Sequence, residues 1–474
     1  MTLKGINFSK QVEVRINNAL RAWHAPVSDD NNLLNDLLIA QAFQDTTSTD
    51  MSGSQDRSVT NQILEAGIQE LETQDAEIAQ VLRLRFVEKE KLWAVANNLG
   101  ISAQTVSRLQ RKGIRLLTLN ILHQENEKRE NVIQTVEAEL PPSTYTRLFG
   151  VQETCQTVHR LLMDKTAPAV LAIVGLGGIG KTAITDRLIR DLIPTFHFHN
   201  ILWIRIQYQT LSGKNIDPSV TFEYLLTELA KKLWSDQAET FSPQQRLVNI
   251  RKALKNDPYL VVIDNLESQR DADYILNQLH GLTRPTKFIL TSRSPLAEQA
   301  SVYNFYLQEL SLHDSVAFVR YHAQECGIHT LANASDGDLI SIYQTSGGNP
   351  FALKLVVSLL NVLPLSEVLS DLTSHRTVSI EGMYKHIYRQ AWKALSENGR
   401  FLLQAMSLVS EEGGTVNYLG EISGLSKDIL LPALHELFSR SLIEVRGSIN
   451  EKRYGIHRLT NSFISSEIID LPEW

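Results

Sequence analysis

Cysteine is nearly missing from this sequence: 474 residues hold two, Cys155 and Cys326. They stand far apart and without metal-like spacing. That excludes a disulfide framework and a cysteine-based zinc site, and fits buried thiols in a reducing compartment. Long apolar runs are missing as well. None approaches the roughly 18 residues that a membrane-spanning helix needs, and the opening Met1-Thr2-Leu3-Lys4-Gly5-Ile6-Asn7 has no apolar signal core. An excess of positive charge is missing too. With 46 basic and 53 acidic residues the chain carries −7, so it does not coat nucleic acid as a polycation, and any such contact is local. The expectation is a soluble cytoplasmic protein without membrane partners.

Hydrophobic residues make up 43% of the chain, enough for sizeable cores, and the length suggests about three domains. The most informative stretch is Gly175-Leu176-Gly177-Gly178-Ile179-Gly180-Lys181-Thr182, which fits G-x-x-x-x-G-K-[ST]. An apolar run from Ala169 to Val174 precedes it, and a helical pattern from Ala183 to Leu192 follows. That strand–loop–helix context is what a phosphate-binding loop requires. Glycines let backbone N–H groups converge on phosphate oxygens, and the helix N-terminus adds a positive dipole. Lys181 supplies a cation for the β- and γ-phosphates, and the Thr182 hydroxyl can ligate Mg²⁺.

Further strands follow at Asn200–Ile206, Tyr259–Asp264 and Lys287–Arg293, separated by helical patterns over 218–234 and 242–254. Strands alternating with helices predict a parallel sheet. The Tyr259–Asp264 run ends in an acid placed to hold Mg²⁺, directly or through water. Three strand ends, at the loop, Asp264 and Arg293, would converge at the edge where such sheets bind ligands. Beyond the sheet the pattern turns helical. Ser311-Leu312-His313-Asp314 opens a helix as S-x-x-D before apolar residues. Two final strands, Leu442–Arg446 and Arg453–His457, follow a helix in a winged-helix pattern.

Ahead of the sheet, residues 45–59 are polar and read as a flexible linker. Leu92 to Leu109 then gives a helix ending at Gly100, a turn with Ser102 as N-cap, and a second helix, the helix-turn-helix pattern. It resembles the region-four domain of sigma-70 factors over residues 65–120. Residues 81–115 hold eight basic and two acidic side chains, +6 on a chain of −7, which leaves −13 for the remainder. Gln104, Thr105, Ser107 and Arg108 open the second helix, where base-edge readers belong, with Arg111 and Lys112 one turn on. DNA binding and a trihelical protein-interaction module both remain open.

The ordered motifs from 146 to 465 resemble the NB-ARC type of STAND ATPase. Phe149, Gly150 and Val151 are similar to the opening motif beside adenine. Gly175, Gly177, Gly178, Ile179, Gly180, Lys181, Thr182 and Ala183 form the phosphate loop, and Asp264 is the Walker B acid. Thr291-Ser292-Arg293 resembles the sensor-1 motif, whose arginine reaches the γ-phosphate. Gly348-Asn349-Pro350 resembles the glycine-x-proline motif, whose proline packs on adenine. Ile456-His457-Arg458 resembles the winged-helix motif, whose histidine contacts the ADP β-phosphate. By residue type alone, Arg293 also reads as a strand-end arginine, Pro350 as a first-turn proline and His457 as a structural histidine.

The resemblance implies ATP/ADP and Mg²⁺ as ligands, and a switch between a closed ADP-bound monomer and an ATP-bound homo-oligomer. Moving such an equilibrium from 1:99 to 99:1 takes about 5.5 kcal/mol. Two charged hydrogen bonds of roughly 1.5–3 kcal/mol each, from Arg293 and His457, reach that scale. The sequence departs from the family in three places. Val151 stands for the usual arginine, Asn265 for the second acid of the Walker B pair, and Arg458 for the aspartate after the histidine. An amide is no general base, which points to slow hydrolysis, with Glu267 as the candidate replacement.

The expected layout is an all-α helix-turn-helix domain, an α/β phosphate-loop domain with a parallel sheet, a helical subdomain and a winged helix. The boundaries are 1–45 N-terminal helical segment, 46–59 linker, 60–125 helix-turn-helix, 126–145 linker, 146–300 nucleotide-binding domain, 301–375 helical subdomain and 376–474 winged helix. No repeat period marks 375–474, so no repeat sensor is built in there. Three functions follow: a DNA-binding ATP-switched regulator, a signalling or defence scaffold that recruits a protein effector or sensor, or a DNA-stimulated initiator-type ATPase.

Overall fold

The computed structural model describes residues 3–25, 34–40, 43, 55–207, 217–266, 268–296, 302–376, 388–389, 391–409, 413–440, 442–447, 451–456, 458–464 and 468. The chain forms two compact units, Met1–Thr135 and Val136–Trp474.

In the first unit, α1 (Leu3–Arg21), α2 (Gln55–Gln74), α3 (Ala76–Leu82), α4 (Leu92–Leu99) and α5 (Ala103–Glu139) contribute to one core. Ile16 and Leu20 of α1 cluster there with Ile68 and Leu71 of α2, Leu82 of α3, Val95 of α4 and Leu117 of α5. The helix expected in 1–45 therefore shares the helix-turn-helix core instead of standing apart. Gly100 ends α4 at φ +67°, a left-handed position glycine takes without penalty. Ser102 Oγ accepts from the Thr105 amide at 3.1 Å, so the expected turn and cap are both present.

The boundary between the two units falls within the expected 126–145 linker. Residues 126–139 continue α5, and 141–145 are fastened to the second unit's core. The charge run at Glu125 looked solvated, yet Glu125 is 3% exposed. Its carboxylate accepts from Arg129 Nε at 2.7 Å and from the Ile39 amide at 3.2 Å. A paired buried charge extends a helix where an unpaired one would break the packing.

The second unit carries α6 (Gln152–Met163), β1 (Val170–Val174), α7 (Lys181–Leu192), β2 (Asn200–Arg205), α8 (Pro218–Trp234), α9 (Pro243–Asn256), β3 (Tyr259–Leu266), α10 (Gln269–Leu279), β4 (Lys287–Ser292) and β5 (Val302–Tyr306). The five strands are parallel, in the order β2-β3-β4-β1-β5. Every residue of β1 is buried. Val170, Ala172 and Val174, on one face of β1, cluster with Leu225 of α8, Leu254 of α9 and Ile275 of α10. β5 lies past the expected boundary at 300. It is a half-exposed edge strand and has no continuous apolar run to betray it.

Helices follow: α11 (Leu312–Glu325), α12 (His329–Ala332), α13 (Asp336–Ser346), α14 (Pro350–Leu360), α15 (Leu365–Arg376), α16 (Glu397–Met406), α17 (Val416–Ser423) and α18 (Lys427–Ser439). An antiparallel ribbon of β6 (Ile443–Gly447) and β7 (Lys452–Ile456) comes next, then α19 (Arg458–Phe463). Ser311 caps α11 through the Asp314 amide at 3.1 Å. Leu353 and Val356 of α14, Leu402 of α16, Leu437 of α18 and Ile443 of β6 share one core.

Candidate functional site

The loop after β1 is shaped by its own backbone. The Gly175 amide donates to the Ser292 carbonyl at 3.2 Å, extending the β1–β4 pairing by one residue. Lys181 folds back over the loop, its Nζ donating to the Gly175 and Leu176 carbonyls at 2.8 and 2.9 Å. α7 starts at Lys181 with Gly180 as N-cap, and no side chain caps it. Its first amides are the donors that an anion at a helix N-terminus takes up.

Asp264 is fully buried, two residues before the end of β3. Its Oδ1 accepts two hydroxyls, Thr182 Oγ1 at 2.9 Å and Thr291 Oγ1 at 2.6 Å. Its Oδ2 has no hydrogen-bond partner, and Arg205 Nε lies 3.5 Å away. β-Register places Arg205 directly across from Asp264. A buried carboxylate oxygen left open beside a threonine hydroxyl is a hard oxygen donor pair that fits Mg²⁺. Among the described residues no cluster of three or more His, Cys, Asp or Glu side chains could hold a metal alone. A site of this kind draws its remaining ligands from phosphate and water.

Asn265 follows at φ +76°, where the β3–β4 register slips. Asparagine is among the few side chains that tolerate this left-handed region. Its amide N–H donates to Thr291 Oγ1 and its Nδ2 to the Ile206 carbonyl, both at 2.8 Å. The position of the usual second acid thus ties β3 to its neighbours. Arg293 comes directly after β4, whose pairing of Ser292 with Val174 sets it level with Gly175. Glu267 and His457 lie outside the described residues.

The helical part closes on the loop. Asn349 is the N-cap of α14, its Oδ1 accepting from the Phe351 and Ala352 amides, with Pro350 as the first helical residue. Asn349 Nδ2 donates to the Gly177 carbonyl at 3.1 Å, and the Phe351 amide to the Gly178 carbonyl at 3.3 Å. Phe149 meets Phe318 and Tyr321 of α11 at 5.6 Å between ring centroids, with the Arg147 guanidinium 4.8 Å over its ring. A Cβ on Gly150 would stand 2.9 Å from Asp314 Oδ2, and Val151 heads α6. Below the loop, buried Asp186 of α7 accepts from the Ser143 and Tyr145 hydroxyls at 2.8 and 2.9 Å. Burial and the Asp186 carboxylate push the Tyr145 phenol well above its ordinary range.

Sequence reasoning passed over Arg205, Thr291 as a hydroxyl donor, and Asn349. Arg205 had a signal, a lone cation ending an otherwise apolar strand. Thr291 and Asn349 act through hydrogen bonds to residues distant in the chain, which motif spacing does not encode.

In the first unit, Gln104, Arg108, Arg111 and Lys112 are exposed on α5, and Thr105 and Ser107 are partly so. The Thr105 hydroxyl is 2.8 Å from Ser102 Oγ. The basic segment is partly neutralised: Lys112 pairs with Asp75 at 3.3 Å and Arg83 with Glu65 at 2.7 Å. Arg85 donates to Gln110 at 3.1 Å and to the Glu90 carbonyl. Among the described residues, Lys89, Lys91, Arg108 and Arg115 form no ion pair. Trp93 on α4 is 63% exposed.

A parallel sheet, a glycine-rich loop at its edge and a buried Asp–Thr pair define a P-loop nucleotide-binding protein. The NB-ARC domain family matches residues 151–321, and sigma-70 region 4 matches residues 72–118. Residues 151–321 thus match an NB-ARC domain, preceded by a helix-turn-helix region that matches sigma-70 region 4.

Among curated relatives, Disease resistance protein RPP8 of Arabidopsis thaliana is 24% identical over 245 residues, 49% of this chain and 25% of its own. An uncharacterized WD repeat-containing protein of Nostoc sp. is 22% identical over 349 residues, 69% of this chain and 27% of its own. The chain spans about a quarter of the length of these relatives. A solved STAND protein with a tetratricopeptide repeat sensor, from Pyrococcus horikoshii, is 17% identical. It aligns over 69% of this chain and 44% of its own, with a TM-score of 0.45. No described helix is long and apolar enough to cross a membrane.

Proposed function

We propose that this chain is an ATP/ADP-switched signalling protein that hydrolyses ATP slowly, assembles in the ATP state and presents its helix-turn-helix to DNA as a cytoplasmic transcriptional regulator. The observation that carries the switch is the convergence of Thr182, Asp264, Thr291 and Arg205, from four separate elements, behind the phosphate loop. Lys181 and the first amides of α7 would hold the phosphates, and Thr182 with Asp264 would hold Mg²⁺. Bound Mg²⁺ supplies charge stabilisation at the β- and γ-phosphate oxygens. Arg293, beside the loop, reads the γ-phosphate, and Pro350 packs near the base. Asn265 offers no base, so the nucleotide acts as a latch. The terminal ribbon and its helices form a winged helix of regulatory role, and the domain boundaries follow the expected order.

The DNA reading rests on the exposed Arg108, one turn beyond Gln104, and Arg111 and Lys112, two turns beyond it. Assembly would array these modules and raise avidity without new contacts. A second reading, a defence scaffold whose N-terminal helices recruit a protein effector, is favoured by the disease resistance relatives and by the Asp75 and Glu65 ion pairs.

Light scattering of the full chain with ADP, ATP and duplex DNA in turn separates them. The regulator reading expects a monomer with ADP, a larger species with ATP, and co-migrating DNA with the larger species. A larger ATP species that leaves DNA behind selects the scaffold. One size in both nucleotides overturns the switch.

A further inference from the structure

We propose that Asn349 is a positioning residue for the phosphate cradle, setting the orientation of loop amides from the N-terminus of α14. The inference rests on nucleotide binding at the loop. A trans peptide is planar, so its C=O and the next residue's N–H point to opposite sides. Asn349 Nδ2 holds the Gly177 carbonyl at 3.1 Å, which turns the Gly178 N–H away from α14. The Phe351 amide holds the Gly178 carbonyl at 3.3 Å in the same way. The Ile179 N–H on that second peptide reaches only the Leu176 carbonyl, at a long 3.4 Å.

Asn349 is fully buried, and its Oδ1 is already committed to the Phe351 and Ala352 amides. One side chain therefore caps α14 and pins the loop, and its rotamer is fixed by the cap. Gly178 completes the fit. It stands at φ +75°, and a Cβ there would meet Phe351 Cβ at 2.6 Å, so only glycine lets α14 approach this closely. The two carbonyls held outward belong to the glycine-rich turn whose N–H groups cradle phosphate in loops of this type. Donors fixed in advance lose no orientational freedom on binding.

The test replaces the amide and keeps the cap. Asn349→Ser and Asn349→Thr retain an oxygen for the Phe351 and Ala352 amides but lose the Nδ2 donor that holds the Gly177 carbonyl at 3.1 Å, and their hydroxyl sits one bond closer to the backbone. Calorimetric titration of the full chain with ADP and with AMP reads the β-phosphate contribution, and apo melting reads the cap. Both variants should melt close to wild type and lose at least tenfold in ADP affinity with under threefold loss for AMP, collapsing the ADP-to-AMP ratio. Pro350→Ala, which leaves both pins in place, should change the two nucleotides alike. If the ratio in both cap-retaining variants stays within twofold of wild type while Lys181→Ala loses ADP, the positioning role is overturned and the nucleotide reading stands. If Lys181→Ala also keeps ADP, both fall.

Discussion

The loop edge of the sheet and the exposed face of the helix-turn-helix are built on opposite plans. At the sheet edge a buried aspartate is held by two hydroxyls and faced by an arginine, each from a different element. On the helix-turn-helix the candidate contacts sit on one helix, exposed, and part of their positive charge is spent on Asp75 and Glu65. Preorganised buried groups make a single change costly. Solvated surface cations contribute additively and in a salt-dependent way. The two regions should therefore respond differently to the same kind of substitution.

The largest effect should come from Asp264→Asn. It keeps the shape and removes the charge that Thr182 and Thr291 share, so Mg²⁺-supported nucleotide affinity should fall about a hundredfold, in line with charged bonds of roughly 1.5–3 kcal/mol. Titration with and without Mg²⁺ checks it, and an unchanged Mg²⁺ response would remove the metal assignment. On the other region, Arg108→Ala with Arg111→Ala should weaken DNA binding about thirtyfold and lower the salt slope by about two. An unaltered slope in fluorescence anisotropy would turn the comparison toward a protein partner.

Arg205→Ala should act in the opposite sense to Asp264→Asn. The Asp264 Oδ2 atom loses its facing cation, so the ratio of nucleotide affinity with Mg²⁺ to that without should rise about tenfold, by the scale of partly buried charge pairs. A ratio equal to wild type would make the 3.5 Å approach incidental.

The smallest effect concerns His322, packed flat against Phe318 at 6.0 Å beside Phe149. Burial holds its imidazole down to about 3, with Lys354 adding to the shift. The folded state therefore stays neutral where the unfolded chain takes up a proton, and stability is lost as pH falls below about 6.5. Chemical denaturation at pH 6.5 and 5.0 should show His322→Gln losing less stability than wild type, by about 1.5 kcal/mol. Equal losses would place the acid sensitivity elsewhere.

Much of this was legible in sequence because chemistry was coupled to spacing. The Gly175–Thr182 loop, the acid after the apolar run of β3 and the Gly100–Ser102 turn each carry a residue pattern that only one local geometry satisfies. What was hidden depends on neighbours far along the chain. Arg205 meets Asp264 through strand register, Asn349 meets Gly177 across 172 positions, and Glu125 is buried by an amide at Ile39. β5 was missed because an edge strand needs apolar residues on one face at most. The Ser143 and Tyr145 clamp on Asp186 was hidden inside a proline-marked stretch that reads as loop.

The proposed switch requires Lys181 and the loop around it to bind a nucleoside polyphosphate. Calorimetric titration of the full chain and of Lys181→Ala with ADP and ATP tests it most directly. Wild type should bind both nucleotides saturably, and the variant should lose at least a hundredfold with apo melting unchanged. Equal affinity in the two proteins would contradict it.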